Sequence, residues 1–269
     1  MALTACFVLS ACGSAASPGV WSGPRSAPSR SSASPPLSPP SSPPLSPPSS
    51  PPLSPHSSSD ASPSPAKITY PAHGHRKWLT APAGTSTAGT SGRLMRYRVE
   101  VESDINGLSP AAFADAAGAT LADRRGWTAG GAWRFRRVGP GQAYDFILYL
   151  ATPDTRDGLC GDTPDGYMSC RNGVSVVLNV ARWVKGVPDY GAGLATYRAY
   201  MVNHEVGHRL GWGHQLCPGK GRPAPVMQQQ TLGLHGCDAN PWPYPDGKLY
   251  AGQSGVYGDP PPPRDRGSD

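Results

Sequence analysis

Residues 204–214 read HEVGHRLGWGH: three histidines and a glutamate, with a glycine between the second and third histidine. On an α-helix His204 and His208 stand one turn apart on one face, about 40° off eclipsed and about 6 Å apart along the axis. Glu205 lies about 100° round from His204 and about 60° from His208, so the three side chains share one sector. If the helix ran on, His214 would lie about 240° round from His208 and point away. The helix must therefore end first, and Gly211 is the residue type that ends helices by taking a left-handed backbone. Past that turn the chain can return and aim His214 at the other two rings.

Three neutral imidazoles converging on one point are ligands for zinc, with the fourth tetrahedral position left open. A metal so held acidifies the water in that position toward neutral pH. Glu205 stands beside the ligands without completing the set, where a general base holds water and later passes its proton to a leaving amine. The spacing predicts hydrolysis. An isolated HExxH pair occurs by chance in helices, and the added glycine and third histidine lift this stretch above that background. The bland alternative is a structural metal site or a helix of satisfied core histidines.

The stretch resembles the HExxHxxGxxH zinc-binding sequence of the metzincin metallopeptidases. That family has a methionine-containing turn beneath the metal, and PAPVMQQQ (223–230) supplies Met227 at a fitting distance after His214. The wider segment 202–237 resembles a group of secreted, metzincin-like domains from actinobacteria, and the likeness extends over about residues 91–250. It implies Zn2+ held by His204, His208 and His214, with Glu205 as the catalytic base. The implied fold is α+β and zincin-like: a twisted mixed sheet of about five strands, a backing helix, the active-site helix and the Met-turn. In that architecture an edge strand, placed near Gly166–Ser169, lines the cleft and pairs with an extended peptide substrate. One departure stands out. Some metzincins have a tyrosine two residues after the methionine, where this chain has Gln229; Tyr244 and Tyr250 are the remaining candidates for its role. Trp212 is expected to pack under the turn.

Outside the motif, periodicity predicts strands at 94–103, 132–138 and 144–150 and a hairpin over 165–180 with its turn at RNG (171–173). A helix begins after Ser109 as N-cap with Pro110 at its first position, and Phe113, Ala117 and Leu121 fall at helical intervals. The helix carrying the histidines spans 194–211, with Leu194, Tyr197 and Met201 on its broad apolar face.

Much of the remaining chain is not built to fold. Of 269 residues 33 are proline, crowded into the first third, where 35–58 read PPLSPPSS, PPLSPPSS, PPLSPHSS. Such a segment has little to bury and is expected to be solvated and polyproline-II-like. The expected organisation is a signal or lipobox segment at 1–12, a disordered Pro/Ser-rich linker at 13–90, a metzincin-like catalytic domain at 91–250 and a disordered tail at 251–269. LSAC (9–12) resembles a bacterial lipobox, which makes Cys12 a lipidation candidate and the membrane a partner through that anchor; a cleaved, unlipidated signal is the alternative. Residues 66–90, just ahead of the domain, are placed to cover the cleft as an inhibitory strand.

The net charge of +6 is uneven. Residues 1–90 hold five basic side chains against Asp60, which leaves nineteen basic against seventeen acidic in the rest. With no basic stripe in the folded part, nucleic acid is excluded as a partner. Cys160, Cys170, Cys217 and Cys237 form an even set for an exported domain; three pairings are open, and neighbour pairing is the economical one. Pairing Cys217 with Cys237 would close about twenty residues around Met227 and stabilise by about 3 kcal/mol. His56, His73, His75 and His235 are expected to face water or pack without chemistry. Two functions remain: a zinc-dependent endopeptidase acting as a monomer at the outer cell surface, or a non-catalytic zinc-stabilised envelope-binding module on a proline-rich stalk.

Overall fold

The computed structural model describes residues 66–268. Cys12, the proline–serine repeat and His56 lie outside the described residues. The five strands expected between 94 and 180 all form: β4 (Arg93–Glu102), β5 (Trp133–Arg137), β6 (Phe146–Ala151), β7 (Cys170–Asn172) and β8 (Ser175–Asn179). β4 lies parallel to both β5 and β6, β6 lies parallel to β8, and β7 turns back antiparallel at the edge. β6 reads FILYLA, apolar without alternation, as a strand covered on both faces must be; only Tyr149 in it escapes full burial.

The connection from β4 to β5 is helix α1 (Pro110–Ala122). The Ser109 hydroxyl accepts the Ala112 N–H at 3.1 Å, and Phe113, Ala114, Ala117 and Leu121 are wholly buried against the sheet. Helix α4 (Leu194–Arg209) adds Tyr197, Tyr200, Met201, Val202 and Val206 to the same core. Burying each large apolar side chain of this core contributes about 1.5–3 kcal/mol. The architecture is α+β with a mixed sheet.

The sheet has seven strands rather than about five, in the order β3-β5-β4-β6-β8-β7 with β2 on β4. The extra pair comes from residues 66–90, which sequence placed in a linker ending at 90: β2 is Trp78–Thr80 and β3 is Thr87–Ala88. That segment is held both by packing, with Ile68, Ala88 and Trp78 against the core, and by hydrogen bonding. The buried Glu102 carboxylate accepts the N–H of Arg76 (2.9 Å), the N–H of Thr152 (2.8 Å) and the Thr155 hydroxyl (2.7 Å). Gly74 packs so tightly on Glu102 that a β-carbon there would overlap the carboxylate. Tyr70 and Ala81 are buried in the core.

The tail is a second correction, for residues 251–268 are ordered on the domain. Asp265 is buried and takes hydrogen bonds from Arg182 (3.0 Å) and Lys185 (3.0 Å). β9 (Gly267–Ser268) pairs with β1 (Tyr70–Pro71). Arg264 binds Asp154 and Asp157. A sequence of prolines and lone charges gives no hint of this, because Arg264 and Asp265 find their partners eighty or more residues away.

Two short helices were also unforeseen. α2 (Pro153–Cys160) follows β6, and α3 (Val180–Lys185) begins at the last residue of the expected hairpin. Asn179 ends the strand by accepting the Ala181 N–H at 2.9 Å while its amide donates to the Gly166 and Tyr167 carbonyls. Both neighbour disulfides form, with Cα separations of 6.0 Å for Cys160–Cys170 and 5.9 Å for Cys217–Cys237. The first ties the end of α2 to the edge strand β7. Among the described residues no helix is long and apolar enough to cross a membrane.

Candidate metal centre

Helix α4 stops where the motif requires. Gly211 takes φ +102°, its N–H reaches the His208 carbonyl at 3.1 Å and the Trp212 N–H reaches the Gly207 carbonyl at 3.0 Å. This double bond pattern is the Schellman end, which closes the last turn and sends the chain back. Trp212 stacks on Trp127 with ring centroids 5.6 Å apart, so it packs under the turn as expected.

His214 thereby meets the other two. His208 Nε2 lies 3.2 Å from His204 Nε2 and 3.0 Å from His214 Nε2, and among the described residues these three form the one His/Cys/Asp/Glu group close enough to share a metal. Two nitrogens each about 2.05 Å from a tetrahedral zinc lie about 3.3 Å apart, so the spacing fits that ion. The opposite nitrogens are also set: His204 Nδ1–H donates to the Val226 carbonyl and His208 Nδ1–H to the Trp212 carbonyl, each at 2.8 Å. Such bonds fix the tautomer that leaves the Nε2 lone pair free for a ligand role. Burial holds His204 and His208 below the ordinary imidazole range, with His208 and His214 adding to the effect on His204. Burial also lowers His214, to about 4. All three rings are neutral at pH 7, as ligands must be.

Glu205 is 5% exposed and burial pushes its carboxyl up to about 8, against the pull of Arg156. Its Oε2 has no hydrogen-bond partner. A buried carboxylate oxygen left unpaired costs about 1–3 kcal/mol or more, and Glu205 is among the residues that line the cavity with the histidines. A divalent cation beside it would favour the ionised form.

Met227 is buried beneath α4, and Gly207 is where it presses: a β-carbon on Gly207 would overlap Met227 Sδ and come within 2.7 Å of Trp127. The residue before it, Val226, supplies the carbonyl that orients His204, and the Met227 carbonyl accepts the Gln215 N–H at 3.1 Å. One short turn therefore braces both the helix and the segment beyond His214. That segment is held from outside by the tail, where the Gly255 N–H donates to the His214 carbonyl (3.1 Å), the Leu216 N–H to the Gln253 carbonyl (2.8 Å) and the Cys217 N–H to the Tyr257 hydroxyl (3.0 Å).

The model of a family described as a protein of unknown function (DUF3152) matches residues 64–245. The chain belongs to that family. No curated protein and no solved structure matches it. The DUF3152 span takes in α4, all three histidines and Met227, whereas residues 253–257, which brace His214, lie beyond it.

The cavity beside the histidines measures about 240 Å³ and is bordered by Met168, Ser169, Cys170 and Arg171 on one side. These residues lead into and begin β7, so the cleft-lining edge overlaps Gly166–Ser169 at Met168 and Ser169 and lies two residues later. No residue of 66–90 borders the cavity; that segment pairs with β4 and β5 instead and does not act as a strand across the cleft. Gln229 lines the cavity, but Tyr244 and Tyr250 do not. Tyr250 donates to the Pro223 carbonyl at 2.9 Å. Sequence reasoning overlooked Tyr200, which sits one helical turn before His204 with its ring 5.2 Å from the imidazole and its hydroxyl on the Gln228 carbonyl at 3.1 Å. The i, i+4 spacing was the available signal. Asp162 and Thr231 come from loops and left none. His73 and His75 pair with Asp154 and Asp104 at the surface, and His235 stacks on Tyr257 and reaches Asp259 at 2.8 Å.

Proposed function

We propose that this chain is a zinc-dependent endopeptidase of metzincin-like architecture, acting on peptides at the outer cell surface. The single observation that carries the reading is the convergence of three Nε2 atoms beside the unpaired Oε2 of Glu205, in a cleft bordered by a free sheet edge. A structural metal site has no use for a buried carboxylate left without a partner.

His204, His208 and His214 would hold the ion, and bound zinc would supply a Lewis acid that polarises the scissile carbonyl and acidifies a water. The Glu205 carboxylate takes one proton from that water as its oxygen bonds to the carbonyl carbon, then delivers it to the amine nitrogen as the C–N bond breaks. β7 offers its unpaired backbone to an extended substrate, and Met227 under Gly207 keeps the helix rigid. The two disulfides agree with an oxidising, exported setting.

The test is Glu205→Gln. Zinc stoichiometry should stay at one per chain while cleavage of an unstructured protein substrate falls about 10²–10⁴-fold. Equal cleavage by the variant would refute the role of Glu205. Zinc bound by a wild-type chain that cuts nothing would favour the non-catalytic envelope module instead.

A further inference from the structure

The charges of the cleft point to the class of peptide it takes, an inference that rests on the peptidase reading above. Besides the histidines, three ionisable side chains border the cavity: Asp162, Glu205 and Arg171. Asp162 is half-exposed, and its carboxylate meets Arg156 at 3.2 Å. Arg156 is wholly buried and pairs with Asp157 and Asp165 as well, at 2.9 and 3.3 Å. Glu205 is buried beside the histidines. Arg171 differs from both. It is exposed on β7, and among the described residues its guanidinium makes no ion pair, hydrogen bond or aromatic contact.

Position turns this free cation into a selector. β7 pairs with β8 alone, at the end of the sheet, so its outer edge is open to a further strand. A peptide added there must pass Arg171, which is the middle residue of the three-residue strand. Arg171 borders the same cavity as His208 and Glu205, which puts it within reach of the substrate residues that flank the reacting bond. Every other cavity-lining group near it is neutral or already paired: Met168, Ser169, Tyr200, Gln229 and Thr231 carry no charge. A basic substrate side chain would find Asp162 held at Arg156 and Glu205 buried. A carboxylate would find a planar fork of donors, the geometry arginine offers best.

We propose that Arg171 selects peptides carrying an aspartate or glutamate side chain beside the scissile bond, by binding that carboxylate through its guanidinium. The unpaired Oε2 of Glu205, on a residue more than nine-tenths buried and bordering the same cavity, independently marks the cleft as built for a ligand.

The test uses the full chain carrying Glu205→Gln, loaded with zinc, so that binding is read without turnover. Fluorescent peptides identical except for Glu, Gln or Lys at one position are titrated by anisotropy, with that position moved along the peptide. The Glu peptide should bind about tenfold tighter than its Gln partner at low salt, with the gap narrowing as salt screens the pair. Adding Arg171→Glu should invert the order so that Lys is preferred, whereas Arg171→Lys should keep the order with a smaller gap. Zinc content and melting temperature verify that these surface variants stay folded. Binding that ignores charge, or an order unchanged by Arg171→Glu, overturns the proposal. Cleavage of the same peptides by the wild-type chain separates the two readings. Charge-ordered binding with no cleavage sinks the peptidase and keeps the selection; cleavage with no charge order does the reverse.

Discussion

Replacing Gly207 with alanine tests the packing that supports the histidine helix. The new β-carbon would overlap Met227 Sδ and approach Trp127 to 2.7 Å, an overpacking that costs about 1–3 kcal/mol. Alanine also removes the conformational freedom of glycine inside a helix, which recovers about 1 kcal/mol. The net expectation is a loss of about 0–2 kcal/mol. Met227→Ala alone leaves a void under α4 and should cost about 2–5 kcal/mol. Together the two changes interact, because the alanine methyl enters the space the thioether vacated. Trp127 still restrains that methyl, so the relief is partial, and the double variant should be more stable than the sum of the single losses by about 1 kcal/mol. Urea midpoints at unchanged slope, measured without metal and with both disulfides intact, give the three values. Since Val226 orients His204 from the next residue, Gly207→Ala should also weaken zinc binding by about tenfold. Additivity within about 0.5 kcal/mol, or a stabilising Gly207→Ala, would refute the claim that Met227 braces the helix.

The tail gives a second prediction: a chain ending at residue 250 loses the bonds from Gly255 to His214 and from Leu216 to Gln253, and competition titration should show zinc affinity reduced about tenfold or more. Unchanged affinity would show that the loop of His214 holds itself. A third concerns acid. Burial pushes the Asp265 carboxyl up, but Lys185, the Gly267 N–H and Arg182 outweigh it and hold the group below the usual carboxylate range. Its contribution is therefore fully present above about pH 4, where the unfolded carboxyl is ionised, and is lost as pH falls through the lower folded value. Asp265→Asn should lower stability at pH 6–7, and its gap from the wild type should narrow as pH falls below about 4. A constant difference across that range, in denaturant midpoints, would rule out the linkage.

The legible parts of this chain were those whose information is local. Helix α1 was readable because Ser109, Pro110 and the Phe113–Ala117–Leu121 stripe all specify one element within thirteen residues. The turn at Gly211 was readable because two histidines fix a face that the third can join only after a break. β2, β3 and the tail were not, because β2 and β3 are held by pairing with β4 and β5 and the tail by the cations that meet Asp265, each brought in by distant chain. Polar segments satisfied over long separations look the same in sequence as polar segments satisfied by water.

The sequence by itself determined the identity and face of the three imidazoles and the place where their helix ends, since these follow from helical angle and glycine's backbone; among the three cysteine pairings it left open, the structure has the neighbour one. Only the tertiary structure decided where the folded unit begins, what orients the rings and which strand borders the cleft. The Val226 and Trp212 carbonyls, the methionine under Gly207 and the tail on His214 act through space. A hydrogen bond or a steric contact depends on where backbone atoms come to rest, and no periodicity in the chain records that.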